Sequence, residues 1–494
     1  GPEPFDPTLI PNSVWLDGAA DNLSKTFSGG SAQTKIVIST WVQRNSFGSS
    51  QDIFMAQGGT GGSSRQNRIH FQSDDTIDIQ IETSSVKTII YSTTKVFRDV
   101  GWYHILLSID QPQLPKTSQT ILFVNGVSVD IAPTVLDQGF TAALSSWGNA
   151  ALHVVGSNAG TGLFYKGYQA QTTMLVGKSI QSGDVAVTDF LDIFLFGTNG
   201  SQFTPKANAD VAALASTAGG NSFCLDYANS SDLGNDISSL GNDFAPQSMS
   251  SANQLTNTPS LPFPVLNAID SDATLAASLQ FGNRLGVGVS DWDSIFSTLP
   301  MGKTGKWYFE VRLHTDTGSN GFIAGIHDTT TTSRNFANYI GNSTATFGLG
   351  YSLYTAGSTF TNNTETNNPL ANIDAGDVVM MAVDLDNNKI WWGENGTFYL
   401  SGNPATGANP IYTLESDTEY VFGMSPSADE DYFVNFGADS TFGGAISAGN
   451  NADENGQGNF KHAPPTGFLC LCPANLATPD FQGIDFFDAT LYEG

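Results

Sequence analysis

The sequence predicts an all-β protein of two tandem β-sandwiches joined by an irregular linker. Three observations lead there. First, apolar runs of strand length recur between Asn, Gly and Pro punctuation, most plainly in DVVMMAVDLDNNKIWWGENGTFY, Asp377 to Tyr399. The run from Val378 reads as a buried strand, Asp386-Asn387-Asn388 as a turn, Lys389 to Trp392 as the return strand and Asn395-Gly396 as a second turn. Such runs fit strands covered on both faces, and Asn-Gly readily takes the positive φ of a tight hairpin. Second, 52 glycines fit many short strands joined by turns, while 40% hydrophobic and 11% aromatic residues supply cores. Third, 494 residues exceed one ordinary sandwich, so two or three domains are expected.

In chain order, residues 1–12 are a lead-in whose Gly1-Pro2 reads as the scar of tag removal. Residues 13–200 form the first sandwich. SVWLDGAADNLSKTF opens it, and KIVISTWVQR (Lys35 to Arg44) is a strand centred on Trp41. NRIHFQS and TIDIQIET alternate with period two, as half-exposed strands do. KVFRDVGWYHILLSID (Lys95 to Asp110) follows, and ILFVNGVSV (Ile121 to Val129) pairs back as a hairpin. Ser182 to Leu195 has room for one short helix. Residues 201–268 read as an irregular linker packed on the first sandwich, with Phe223, Leu225, Tyr227 and Phe244 to bury. The Pro-rich TNTPSLPFPVLNA marks the boundary. Residues 269–445 form the second sandwich, with GKWYFEVRL, GFIAGIHD, TFGLGYSL and YVFGMSPS as further strands. Residues 446–494 read as a C-terminal connector, and the ending DATLYEG suggests a piece of something longer.

Trp102 to Asp110 (WYHILLSID), then Ile121 to Val127 (ILFVNGV), then Leu152 to Leu175 resemble, in order, the core strands of laminin-G-like, concanavalin-A-like jelly rolls. The resemblance covers most of residues 13–200. One departure is that Gln169 and Gln171 stand near the place of the family's frequent acidic residue. GKWYFEV, the glycines that follow it and the 377–399 stretch resemble the SPRY fold over nearly the whole second unit. Asn459 to Phe481, NFKHAPPTGFLCLCPANLATPDF, resembles a junction in tailed-bacteriophage virion proteins, where a laminin-G-like domain precedes a SPRY domain. That resemblance implies a virion location, a tail fibre or other appendage, and a homo-oligomer. It implies host surface glycan or neighbouring virion proteins as partners, and it assigns no site.

The formal charge of −28 comes from 19 Lys and Arg against 47 Asp and Glu, with no acidic block. Missing bases, spread over the chain, favour solubility and repulsion from polyanions. Nucleic-acid binding is disfavoured, since neutralising phosphates needs clustered Lys and Arg. No run of 18 apolar residues occurs, so no membrane insertion is expected. Three cysteines make no disulfide framework. They read as buried thiols, with Cys470 and Cys472 alternating along a strand toward opposite faces.

No catalytic residues are assigned. A glycan-cleaving jelly roll needs two carboxylates across the bond, and before residue 260 only Glu3 and Glu82 occur as glutamates. Asp74-Asp75 and Asp78 are the substitutes, read as solvated turn and strand faces. Glu430 and Asp431 read as a surface turn, and Glu310 as an outward residue paired with a base. The six histidines show no HExxH or HxH spacing, and His104 reads as structural. Asp384-x-Asp386-x-Asn388 opens like a calcium loop but lacks the later Gly and Glu, and Asp453-x-Asn455-x-Gln457 is similarly weak. No cofactor and no metal ligands are assigned; the resemblance leaves calcium at the sandwich rim open, ligands unknown. GGTGGSS (Gly58 to Ser64) reads as a turn. Exposed aromatics point to sugar binding, because a ring stacks on the apolar face of a pyranose while amides take its hydroxyls. Trp147 in LSSWGNA and Trp292 in SDWDSIF are the ligand-binding candidates, with loop anchoring as the competing role for both. The expected function is a non-catalytic virion adhesin. A polysaccharide depolymerase and a structural spacer or capsid decoration are the alternatives.

Overall fold

The computed structural model describes residues 6–30, 33–58, 65–83, 87–113, 115, 118–135, 144, 146–196, 200–289, 292–316, 321–329, 336–342, 348–366, 370, 372–428 and 430–476. Glu3, the 59–64 part of the glycine-rich turn and the 477–494 end of the connector lie outside the described residues. The regular structure is nearly all strand, with two α-helices among the described residues. It divides into two compact units, the first running to Pro262 and the second from Phe263 to Leu476.

Among the described residues, two eight-stranded antiparallel sheets and a two-stranded one, Leu191–Phe196 with Gly200–Pro205, make the first unit. One has the order Val127–Val129, Thr120–Val124, Trp102–Asp110, Lys35–Arg44, Lys166–Val176, Ser13–Asp17, Gln254–Leu255, with Phe223–Leu225 also paired to Lys166–Val176. The other has the order Ile131–Val135, Lys87–Thr93, Ile77–Thr83, Arg65–Phe71, Gln51–Gly58, Leu152–Val155, Asn22–Thr26, Ala245–Gln247. Period-two alternation separates the faces. Ile77, Ile79 and Ile81 enter the shared core with Ile36, Ile38, Ile105 and Leu107, leaving Asp78, Gln80 and Glu82 on the outer face. Each such fully buried side chain contributes about 1.5–3 kcal/mol.

The 201–262 stretch is more than a linker laid on this sandwich. It supplies Phe223–Leu225, Ala245–Gln247 and Gln254–Leu255 to the two sheets, and Phe223, Leu225, Tyr227 and Phe244 lie in the core. The helix stands elsewhere than 182–195. There a 3-10 turn, Val187–Asp189, leads into the strand Leu191–Phe196, whose LDIFLF suits a strand better. The α-helix is Asn208–Ala218, Ala-rich and closed at Gly219 with φ +72. Its Val211, Ala212 and Ala215 pack on Val37, Leu106 and Leu175.

The second unit has a seven-stranded sheet ordered Leu266–Ser271, Ile295–Ser297, Tyr420–Ser425, Phe322–Asp328, Gly350–Tyr354, Thr359–Thr361, Thr364–Thr366. Its partner sheet runs Leu285–Val287, Asp431–Asn435, Lys306–Thr315, Val378–Asp384, Lys389–Glu394, Thr397–Phe398. Val378–Asp384 is buried throughout, as an unbroken apolar run requires. Asn388, Asn395 and Gly396 take positive φ at the two turns. Residues 446–476 belong to this unit: Leu469–Cys470 pairs in parallel with Lys306–Thr315. The strand stops there and Cys472 caps the 3-10 turn Pro473–Asn475. Cys472 therefore lies beyond the strand, while the Cys470 thiol donates to Phe436 O at 2.9 Å, and both thiols are buried.

Candidate functional site

Trp292 stands in the loop between Leu285–Val287 and Ile295–Ser297, with φ +66 and 39% of its surface exposed. Its ring meets Tyr339 edge-on at 5.6 Å. Tyr339 meets Phe360 at 5.8 Å, and Phe360 meets Tyr354 at 5.6 Å, both edge-on. Edge-to-face pairs of this kind fix ring positions. Tyr339, Phe360 and Tyr354 are half-buried, so each keeps some surface open.

Local structure explains the placement. Ile340 is fully buried beside Phe296 and Val421, and its backbone N–H donates to Ser425 Oγ at 3.1 Å. That anchor pushes its neighbour Tyr339 outward. Phe360 is the centre of Thr359–Thr361, which turns through Asn362 and Asn363, at φ 50 and 54, into Thr364–Thr366. Consecutive positive φ values are the requirement of a tight hairpin. Tyr339 Oη donates to Asn363 Oδ1 at 2.8 Å, and Asn342 Nδ2 donates to Asn338 Oδ1 at 2.9 Å. Burial, and after it the charge of Glu365, pushes the Tyr339 phenol above its ordinary range. The result is a row of ring edges and faces bordered by side-chain amides. Such a row can take C–H groups and hydroxyls together.

Trp147 is not part of any such surface. It is fully buried in the first unit's core, stacked on Phe54 at 6.5 Å, so its ring is closed to a ligand. On either side of it, Ser146 N–H donates to Asn67 Oδ1 at 2.9 Å and Gly148 N–H to His153 Nε2 at 3.1 Å.

The acids also differ from their sequence reading. Asp75 is buried, not solvated, and pairs with Arg44 at 2.9 Å and Arg98 at 2.6 Å. Glu310 is fully buried. It faces no base: it accepts from the backbone N–H groups of Lys461 (2.8 Å) and His462 (2.7 Å) and from Tyr308 Oη (3.1 Å). Burial pushes it up to about 7. Glu430 is buried too and accepts from Tyr432 Oη, and burial likewise pushes it up to about 7. His104 is buried and bonded to Ser39 Oγ at 2.8 Å. Asp384 accepts from Asn387 and pairs with Lys306 at 3.0 Å. Asp453 accepts from the backbone N–H groups of Asn455, Gln457 and Cys470. Among the described residues no three His, Cys, Asp or Glu side chains are grouped to hold a metal ion.

One polar constellation went unseen in the sequence. Register places Asp52 opposite His70 and His70 opposite Asp78 on the first unit's outer sheet face. Arg68 lies 3.4 Å from Asp52 and donates to Gln80 at 2.8 Å. Burial pushes Asp52 up to about 6 and holds His70 down to about 3, with Arg68 adding to the latter. The sequence carries no sign of the row, because three strands contribute one residue each. Tyr339 and Phe360 were missed as well. Their one signal is an aromatic among asparagines in NFANYIGN and TFTNNT.

Residues 19–173 match a family model described as the Concanavalin A-like lectin/glucanases superfamily. No curated protein matches the chain. Similar solved structures include a native heptameric SAP-like pentraxin from Limulus polyphemus, 11% identical with a TM-score of 0.26, over 34% of this chain and 76% of that one. The SPRY domain of human HERC1 is 14% identical with a TM-score of 0.25, over 34% of this chain and 96% of that one. A provisionally assigned carbohydrate binding protein from Bacteroides ovatus is 14% identical with a TM-score of 0.29, over 48% of this chain and 58% of that one. Over residues 19–173 the chain is thus similar to the Concanavalin A-like lectin/glucanases superfamily.

Proposed function

We propose that this chain is a non-catalytic glycan-binding protein, an adhesin or tail-fibre component of a tailed-bacteriophage virion. The observation that carries the reading is the partly exposed row Trp292, Tyr339, Phe360 and Tyr354, bordered by the Asn338, Asn342 and Asn363 amides. A pyranose offers an apolar face of C–H groups and a rim of hydroxyls, and this row has a surface for each. The lectin and glucanase description of the family matched by residues 19–173 supports a sugar ligand for the chain. The virion context rests on the 459–481 resemblance, which also supplies neighbouring virion proteins and a homo-oligomer as partners. One such patch binds weakly, and repeated copies multiply it. The test is a glycan array probed with the whole chain and with Trp292→Ala. Binding to host-type glycans that weakens in the variant is the expected result; silence of the unmodified chain across the array would leave a spacer or decoration role instead.

A second reading has its own observation. Asp52 with its raised pKa, His70 and Asp78 lie side by side on one sheet face, and a polysaccharide depolymerase uses a pair of carboxylates, one of them a general acid of raised pKa. Release of reducing ends from host polysaccharide, lost in Asp52→Asn, is the outcome that would favour it over adhesion.

A further inference from the structure

We propose a second ligand site, in the first unit and independent of Trp292, that takes a single uncharged saccharide residue. It lies where three outer-face strands meet. Gln247 pairs with Asn22, and Ser24 pairs with Ala245 on one side and Val154 on the other. Leu23 points into the core, so Asn22 and Ser24 share the opposite face. Beyond Val154 the chain makes a tight turn, with Asn158 N–H donating to Gly162 O at 2.7 Å and Gly160 N–H to Ser157 Oγ at 3.1 Å. That turn and Phe164 border an open cavity of about 380 Å³ over the strands.

The lining has the chemistry of a sugar site. Phe164, Leu152 and Val154 give an apolar wall, and Asn22, Ser24 and Gln247 give amides and a hydroxyl. Asn22 is 3% exposed, and its Nδ2 donates to Ala20 O at 3.0 Å, yet its Oδ1 has no hydrogen-bond partner. A buried carbonyl oxygen without a donor is left with its desolvation uncompensated, so an arriving hydroxyl or amide N–H relieves that cost. Gly160 keeps the approach open: a Cβ there would sit 3.7 Å from that same oxygen. Among the described residues no charged side chain lines the cavity, so a uronate or an amino sugar would lose its hydration with no ion to pair with. The volume stands near the small end of the roughly 300–1,000 Å³ range of ligand pockets. This fits one sugar residue and excludes a long chain lying flat. With Trp292 in the second unit, the protein has two separate places for sugar.

The test uses the whole chain carrying Trp292→Ala, which removes the other site from the reading. Saturation-transfer NMR and calorimetry are run with methyl glucoside, methyl galactoside, methyl mannoside and N-acetylglucosamine, with glucuronic acid and glucosamine as charged controls. The expected result is binding of at least one neutral sugar by Trp292→Ala. That affinity falls at least tenfold on adding Phe164→Ala, and again on adding Ser24→Tyr, which fills the cavity from a half-exposed position. Circular dichroism and melting confirm the fold of each variant, and Ser24→Tyr decides the matter if Phe164→Ala does not fold. The proposal is overturned if no neutral sugar binds, if a charged control binds better, or if cavity filling leaves the affinity unchanged. The Trp292 reading fails by a different result, an array signal unaltered by Trp292→Ala.

Discussion

LSSWGNA and SDWDSIF place a tryptophan among the same kinds of small polar neighbours, yet Trp147 is fully buried and Trp292 is 39% exposed. The difference lies beneath the rings. Trp147 completes a cluster with Phe54 and Phe223 in the first unit's core. Under the loop of Trp292, Phe296, Ile340 and Val421 already pack on one another. A polar setting therefore reports that a residue lies in a loop. It does not report which way the loop turns its side chain, because that depends on whether the distant layer has room.

This contrast can be broken at several points. The largest effect is expected from Trp147→Ala, which should destabilise the first unit by about 3–5 kcal/mol through lost burial and an unfilled cavity. Denaturant unfolding measures it, and a loss below about 1 kcal/mol would mean that Trp147 is no core residue. Asp75→Ala comes next. Arg44 is fully buried and would lose its carboxylate, which should cost about 3 kcal/mol; the same unfolding experiment reads it. The third effect concerns the second unit and pH. Glu310 and Glu430 are held near 7, above the 4.5 of a free glutamate. The folded chain therefore keeps their protons more tightly than the unfolded one. Their contribution to stability is complete below about 4.5 and is lost as pH rises through about 7. Melting temperature should fall across that window, and Glu430→Gln should flatten the slope; a slope unaffected by Glu430→Gln would remove that residue from the account. The smallest effect is on stability in Trp292→Ala, within about 0.5 kcal/mol, although the same change should weaken glycan binding by the aromatic row.

Much of the architecture was legible because it is written in short-range signals. Val378–Asp384 is apolar without interruption and is buried along its whole length, and the Ile-Asp-Ile-Gln-Ile alternation of 77–81 faces the core as its period demands. Reading failed where long-range pairing decides. Asn208–Ala218 has a helix-forming composition, but its polar surroundings hid it. Glu310 alternates along Lys306–Thr315 as an outward residue should, yet Lys461 and His462 come back from 151 and 152 residues later to cover it. The candidate sites follow the same division. Trp292 could be picked from one loop. Tyr339 and Phe360 join it through separate elements, and Asn22, Ser24, Gln247 and Phe164 meet only once the strands Asn22–Thr26, Leu152–Val155 and Ala245–Gln247 are laid side by side.

The left-handed backbone at Trp292 (φ +66) sets foldability against ring display. A side chain with a Cβ pays roughly 1–2 kcal/mol to stand there, and glycine pays almost nothing. Trp292→Gly should therefore melt above Trp292→Ala. A chain tuned for robustness alone would give up the indole at this position, and so the position offers a direct readout of how much durability the protein forgoes to keep that ring in solvent.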